Sequence, residues 1–118
     1  MHDFRKLQVW KKACELVKAI YKLISKFPKV EVYGLNAQIK RSVISIPSNI
    51  AEGCGRNSDA QLKHFLNFSS GSCSELESQI INAYDLEFIN KSELTQTIEK
   101  IQEVQKMIIG LQRSLKTS

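Results

Sequence analysis

The residues of this chain best equipped for chemistry are two histidines (His2, His64), three cysteines (Cys14, Cys54, Cys73) and a carboxylate pair at Glu75 and Glu77. None falls into a catalytic or metal-binding pattern. His64 has no second histidine at helical spacing, and His2 lies in a terminal segment expected to fray, so no imidazole pair can be assembled for a metal. Glu75 and Glu77 are two apart, which on a helix points them in different directions. The Glu-x-x-His signature of di-iron bundles is absent. The cysteines are odd in number, widely spaced and without a CxxC pair, which argues against a disulfide scaffold and a zinc site. All three sit on apolar rows, where a thiol acts as a small hydrophobe and not as a nucleophile. Gly53-x-Gly55 is not followed by the rest of a phosphate-binding loop. The chain reads as no enzyme, with no metal and no cofactor.

What remains is charge. The net charge is +5, but it is unevenly placed. Residues 1–30 hold eight cations (Arg5, Lys6, Lys11, Lys12, Lys18, Lys22, Lys26, Lys29) against Asp3 and Glu15, a net of +6. Residues 57–90 hold Lys63 against Asp59, Glu75, Glu77, Asp85 and Glu87, a net of −4. Lys11, Lys18, Lys22 and Lys29 recur in steps of seven, four and seven, a basic stripe able to neutralise nucleic-acid phosphates. The plain alternative is a solvated face whose lysines pair with the acidic third segment, within the chain or in a neighbouring subunit. No exposed aromatic platform for stacking bases is identifiable.

A second polar grouping is denser than packing requires. Along residues 45–56, and including Ser42, a helix places Ser42, Ser45, Asn49, Glu52 and Arg56 on one strip opposite an apolar row. The strip can face solvent, a partner subunit or a ligand. It can also be structural, with Asn49 and Glu52 serving backbone groups freed by Pro47 or bonding the next helix.

These residues must be held by helices, because the apolar spacing is helical almost throughout. Leu7, Trp10, Cys14, Val17, Tyr21 and Ile24 step by three and four, with Ile20 and Phe27 widening the row, and Phe27-Pro28 ends it. Leu35, Ile39, Val43, Ile46, Ile50 and Cys54 form a second row. It stays in phase across Pro47, which predicts one kinked helix, with Gly55 as a left-handed stop. Ser58 with Gln61 forms a capping-box pattern. The row it opens is Leu62, Phe65 or Leu66, Ser69, Cys73, Leu76, Ile80 and Ala83. That row crosses the run Ser69–Ser74, which reads either as a linker or, preferably, as a small-residue waist in a long third helix. Leu94, Ile101, Ile108 and Leu115 repeat every seven residues, joined by Val104 and Leu111; Ser92, with Asn90 as its rival, is the N-cap. Val30 to Tyr33 alternates like a strand but is too short for a sheet. The expectation is a single all-α domain over residues 1–118. It is an antiparallel up-down four-helix bundle with helices near 5–27, 34–54, 58–89 and 92–115. No apolar run approaches a membrane span and no signal peptide is visible, so a soluble, cytoplasmic protein without membrane contact is expected.

The run Ile46-Pro47-Ser48-Asn49-Ile50-Ala51-Glu52-Gly53-Cys54-Gly55-Arg56 resembles the "IPSNIAEGxGR" signature of the 23S rRNA intervening-sequence protein family. Phe4, Leu7, Val9, Trp10 and Ala13 are similar to its opening "F-x-x-L-x-V-W-x-x-A". Tyr33-Gly34-Leu35 with Gln38, Ile39 and Arg41 resembles its "GLxxQIxR". Phe65-Leu66 with Gly71, Ser72, Glu75, Leu76, Glu77 and Gln79 resembles its "FLxxxxGSxxELExQ". Where relatives often carry a basic residue before that Gly-Ser, this chain has Ser70, so the resemblance supplies no third-helix cation.

The resemblance implies up-down bundles that assemble as homopentameric rings. Some members are encoded inside 23S rRNA genes. A related branch serves diversity-generating retroelements, binding nucleic acid and a reverse transcriptase through a positively charged barrel. By that resemblance Pro47, Ser48, Asn49, Glu52, Gly53, Gly55, Gly71, Glu75 and Gln79 are structural or interface positions. Two functions follow as expectations. One is a ring-forming ribonucleoprotein accessory that binds RNA or DNA through Lys11, Lys12, Lys18, Lys22, Lys29, Lys40, Arg41 and Arg56, its modest charge multiplied by assembly. The other is a protein-interaction scaffold, with a reverse transcriptase or another protein as partner and no nucleic-acid role.

Overall fold

The computed structural model describes residues 2–115. Four helices carry the chain: α1 (Gln8–Ile24), α2 (Leu35–Cys54), α3 (Asp59–Asp85) and α4 (Lys91–Ser114). Short 3₁₀ turns at Phe4–Lys6 and Lys29–Tyr33 precede α1 and α2, and the described residues contain no strand. The molecule measures 47 × 24 × 21 Å, and at about 1.5 Å per residue the 27 residues of α3 account for most of its length.

Polar contacts between neighbouring helices fix their directions. Along α2, Ser42 meets Glu75, Ser45 meets Ser72, Ile46 meets Ser69 and Arg56 meets Phe65. The α3 numbers fall as those of α2 rise, so this pair is antiparallel. On the other side of α3, Gln112 meets Asn67, Gln105 meets Ser74 and Gln102 meets Glu77, again antiparallel. Lys12 with Glu103 and Lys26 with Glu93 close the α1–α4 seam in the same sense. Asn36, donating to the Ile24 carbonyl, joins the end of α1 to the start of α2. The bundle is therefore up-down, around a core of Leu16, Ile20, Ile39, Val43, Ile46, Ile50, Leu62, Leu66, Leu76, Ile80, Ile101 and Ile108.

The details differ from the periodicity at several points. In α1 the buried stripe is Val9, Ala13, Leu16, Ile20 and Ile24. The expected row of Leu7, Trp10, Cys14 and Val17 is only half-buried on one flank, and Tyr21 is 40% exposed. Both rows have helical spacing; the one with Ala13 at its centre lets the neighbouring helices approach. The helix starts at Gln8 because residues 4–6 are drawn into a 3₁₀ turn by Asp3, whose carboxylate accepts from the Arg5 amide at 3.1 Å. His2 is not loose among the described residues, since its amide donates to the Cys54 carbonyl at 3.0 Å and its ring lies 3.3 Å from Asp59. Val30–Tyr33 forms part of a 3₁₀ turn, whose Glu31 carboxylate accepts from the Leu35 amide at 3.2 Å and so caps α2 from outside.

α2 runs unbroken through Pro47, which is buried. Its end is not a left-handed stop. Gly55 has φ −79° and ψ −6°, a right-handed conformation open to any residue. The position that does need glycine is Gly53, where a Cβ would come within 2.8 Å of Leu62 Cδ1 and 2.9 Å of Phe65 Cβ. α3 passes through Ser69–Ser74 without interruption, so the run is a waist and not a linker. Ser69 donates to the Ile46 carbonyl at 2.7 Å, a contact that a larger side chain would prevent. In the third row it is Leu66, not Phe65, that is buried. The helix ends at Asp85, short of the expected 89, where Glu87 turns the chain with φ 66°.

α4 is capped by Asn90 and not by Ser92. Asn90 Oδ1 accepts from the Glu93 amide at 2.8 Å while Glu93 Oε1 accepts from the Asn90 amide at 2.9 Å. This reciprocal pair satisfies two amides left over at the helix start. Glu93 also pairs with Lys26, just past the end of α1. Asn90→Ala is expected to cost about 1 kcal/mol, read as a lower midpoint in thermal unfolding, whereas Ser92→Ala should leave that midpoint in place.

Candidate nucleic-acid interface

The basic first helix resolves into two sets of cations. Lys11, Lys18 and Lys22 lie on the side of α1 opposite the stripe Val9–Ala13–Leu16–Ile20–Ile24 and are exposed. Lys29 is exposed where the next turn begins, and Lys40 and Arg41 are exposed on α2. None of these six forms an ion pair among the described residues. The second set is engaged. Lys12 is 3.2 Å from Glu103 and 4.0 Å from Glu15, and its hydrogen bond and charge interaction with Glu103 raise its pKa. Arg56 is 3.2 Å from Glu52, with its guanidinium 4.7 Å from the centre of the Phe65 ring.

Within the chain, then, the α1 lysines do not pair with the acidic third helix as the plain reading expected. Among the described residues the ion pairs from this segment to another helix go to α4, from Lys12 and from Lys26 just past the end of α1. The α3 acids are used otherwise: Asp59 with His2, Glu75 with Ser42, Glu77 with Gln102. These six cations face water with no carboxylate partner among the described residues, as do Lys6, Lys91, Lys100, Lys106 and Arg113, and such open cations attract phosphate.

One aromatic side chain accompanies these cations where periodicity had placed core. Tyr21, between Lys18 and Lys22, has the Lys40 ammonium 5.2 Å from its ring centre. A second group was missed altogether: His64, Phe65 and Phe68 stand edge to face, with His64 and Phe68 centroids 4.7 Å apart and Phe68 49% exposed. Its only sequence signal was the i, i+1, i+4 spacing on a helix whose neighbouring positions were already assigned to the core.

Of the strip on α2, Ser42 and Ser45 face α3, whereas Glu52 and Arg56 at its far end are exposed. Ser42 is buried and donates to Glu75 Oε1 at 3.0 Å, while Ser45 Oγ lies 2.5 Å from Ser72 Oγ. Asn49 donates to the Ser45 carbonyl at 2.8 Å, and so serves its own helix and not the carbonyl left free by Pro47. Glu52 does not reach the next helix either, being held by Arg56. Ser48 is exposed, as is Gly71, around which a Cβ would meet nothing within 4 Å. Gln79 is buried, and its Oε1 has no hydrogen-bond partner. Beside it Gln38, Arg41, Ser42, Ser45 and Glu75 line a polar cleft of about 500 Å³. Residues singled out from separate motifs thus meet at one place.

Among the described residues no group of three or more His, Cys, Asp or Glu could hold a metal ion, and no helix is long and apolar enough to cross a membrane. The thiols are quiet. Burial pushes Cys73 up to about 12, helped by the charge of Glu77, and burial with Asp3 raises Cys54. Cys14, half-buried, is raised by burial against the opposing pull of Lys18. At pH 8 a thiol reagent should therefore modify Cys14 first in the folded protein, with Cys54 and Cys73 reacting only on unfolding.

No curated protein matches this chain. Among solved structures it is similar to a protein of unknown function from the S23 ribosomal protein family of Bacteroides thetaiotaomicron VPI-5482. The identity is 23% and the TM-score 0.83, over 90% of this chain and 96% of that one; the likeness establishes a common fold. The family model described as 23S rRNA-intervening sequence protein matches residues 5–110. That span takes in the cationic helix, the α2–α3 seam and most of α4, and the chain belongs to the 23S rRNA-intervening sequence protein family.

Proposed function

We propose that this protein is a non-enzymatic, oligomeric four-helix bundle that binds RNA or DNA as an accessory of a cytoplasmic ribonucleoprotein. The observation that carries this reading is the set of six exposed cations, Lys11, Lys18, Lys22, Lys29, Lys40 and Arg41, with no carboxylate partner among the described residues. Engaged lysines such as Lys12 and Lys26 brace the bundle, and the open ones are left for phosphate. The family resemblance supports a homopentameric ring, in which the open cations of each protomer act together and weak phosphate contacts add.

The test is a titration of the purified protein with structured RNA and duplex DNA across a salt series, alongside sedimentation to define the assembly. Log affinity should fall linearly with log salt, by about 0.9 per phosphate neutralised on duplex DNA. No binding at low salt would overturn the proposal.

One observation favours the scaffold as a second reading. Val30, Val32 and Tyr33, in the turn before α2, are 82%, 48% and 95% exposed, an apolar knob beside Lys29. Such a cluster suits burial against a protein partner. Retention of a reverse transcriptase or another protein that survives nuclease treatment and is lost in Tyr33→Ser would support it.

A further inference from the structure

We propose that the flank where α1 meets α2 binds single-stranded nucleic acid and stacks an unpaired base on Tyr21, a reading that rests on the nucleic-acid function above. Residues 16–51 hold six cations, Lys18, Lys22, Lys26, Lys29, Lys40 and Arg41, against one acid, Glu31. Their net of +5 equals that of the whole chain. Glu31 is moreover occupied as the cap of α2, accepting from the Leu35 amide at 3.2 Å. Of the six cations only Lys26 is engaged by a carboxylate, that of Glu93 on α4.

Tyr21 stands within that charge. Lys18 and Lys22 lie three residues before it and one after it on α1. Lys40 reaches it from α2, with its ammonium 5.2 Å from the ring centre, inside cation–π range. None of these three lysines has a carboxylate partner among the described residues. The ring is 40% exposed, and Ile44, one turn along α2 from Lys40, is 42% exposed. Lysines that serve solubility alone need no aromatic ring among them.

The ring selects the ligand. Phosphate contacts by themselves take duplexes and single strands alike. In a duplex the base faces are covered by neighbouring pairs, so Tyr21 would meet only backbone. An unpaired base offers a free face, and stacking on an aromatic side chain accepts every base because each has such a face. Lys18 and Lys22 are separated by about 6 Å of helix rise, a spacing suited to neighbouring phosphates of one strand. Tyr21 falls between them along the helix axis, where the base joining those phosphates can lie.

The experiment titrates the full chain into a short, uridine-rich single strand with a central 2-aminopurine, whose fluorescence is quenched when the base stacks. Affinity is read by anisotropy and compared with duplex DNA of equal length at the same low salt. Tyr21→Leu keeps apolar bulk without the ring, and Tyr21→Phe keeps the ring. With helicity verified by circular dichroism, Tyr21→Leu should bind the single strand about tenfold more weakly and leave its base unquenched. Its affinity for duplex DNA and its log–log salt slope should stay as in the wild type. Tyr21→Phe should match the wild type in every respect. Duplex binding by the wild type without quenching of the single strand would overturn the stacking site and leave the nucleic-acid function standing. The same follows if Tyr21→Leu binds as the wild type does, or loses duplex affinity to the same extent, or if Tyr21→Phe is equally weak. No binding to single strand, duplex or structured RNA would remove the function and the site together.

Discussion

Gly53→Ala is expected to destabilise the bundle by about 1–3 kcal/mol, although alanine is the better helix former by about 1 kcal/mol. The reason is where α2 crosses α3. A methyl group at residue 53 would sit 2.8 Å from Leu62 Cδ1, 2.9 Å from Phe65 Cβ and 3.3 Å from the Leu62 carbonyl oxygen. Leu62 is in the core, and the Phe65 Cβ and Leu62 oxygen move only if α3 moves. The helices would have to separate along a seam tied by Ser69 to Ile46 and by Ser45 to Ser72. Two other glycines serve as controls. At Gly55 the nearest atom to a Cβ is 3.5 Å away and the backbone is right-handed, and at Gly71 nothing lies within 4 Å. Gly71→Ala, within a helix, should therefore stabilise by up to about 1 kcal/mol, and Gly55→Ala should be near neutral. Thermal or urea unfolding of the three variants checks the ordering. A Gly53→Ala midpoint equal to that of Gly71→Ala would show that the crossing is not as close as described.

The largest functional effect is expected from reversing the open cations of the first helix. Replacing Lys11, Lys18, Lys22 and Lys29 together by glutamate should lower affinity for structured RNA by about 100-fold or more at low salt. It should also flatten the salt dependence by about 3 to 4 in log–log slope, one phosphate contact per lysine. The fold should persist, because none of the four is buried and none forms an ion pair that the change would break. Circular dichroism separates the two effects. The contrast is Lys12→Glu, which loses the Glu103 contact and sets like charges against each other. It should perturb the α1–α4 seam more than the affinity.

How far the sequence was legible depended on what distinguished competing patterns. The third and fourth rows were readable because their apolar positions stand among polar neighbours, so one phase dominates; Ile101, Val104 and Ile108 are buried as the heptad required. In α1 two interleaved rows share the same spacing, and only the neighbouring helices decide between Ala13–Leu16–Ile20 and Cys14–Val17–Tyr21. Caps were ambiguous for a similar reason: Asn90 and Ser92 are both good N-caps, and the choice rests on which of them Glu93 can answer. For the candidate site, the exposed lysines followed from periodicity. Their freedom from ion pairs did not, since it depends on α4 and not α3 supplying the carboxylates. The meeting of Arg41 with Glu75 and Gln79 is a property of antiparallel packing between residues more than thirty apart, which no local pattern encodes.

The outer face of α1 is the surface proposed to meet nucleic acid, and lysine footprinting tests this most directly. The protein is labelled with an amine-reactive reagent, with and without saturating RNA at low salt, and modification at each lysine is read by mass spectrometry. Lys11, Lys18, Lys22, Lys29 and Lys40 are expected to lose reactivity when RNA is bound, while Lys91, Lys100 and Lys106, exposed on α4, keep theirs. Protection confined to α4, or bound RNA that leaves the α1 lysines as reactive as before, would contradict the assignment.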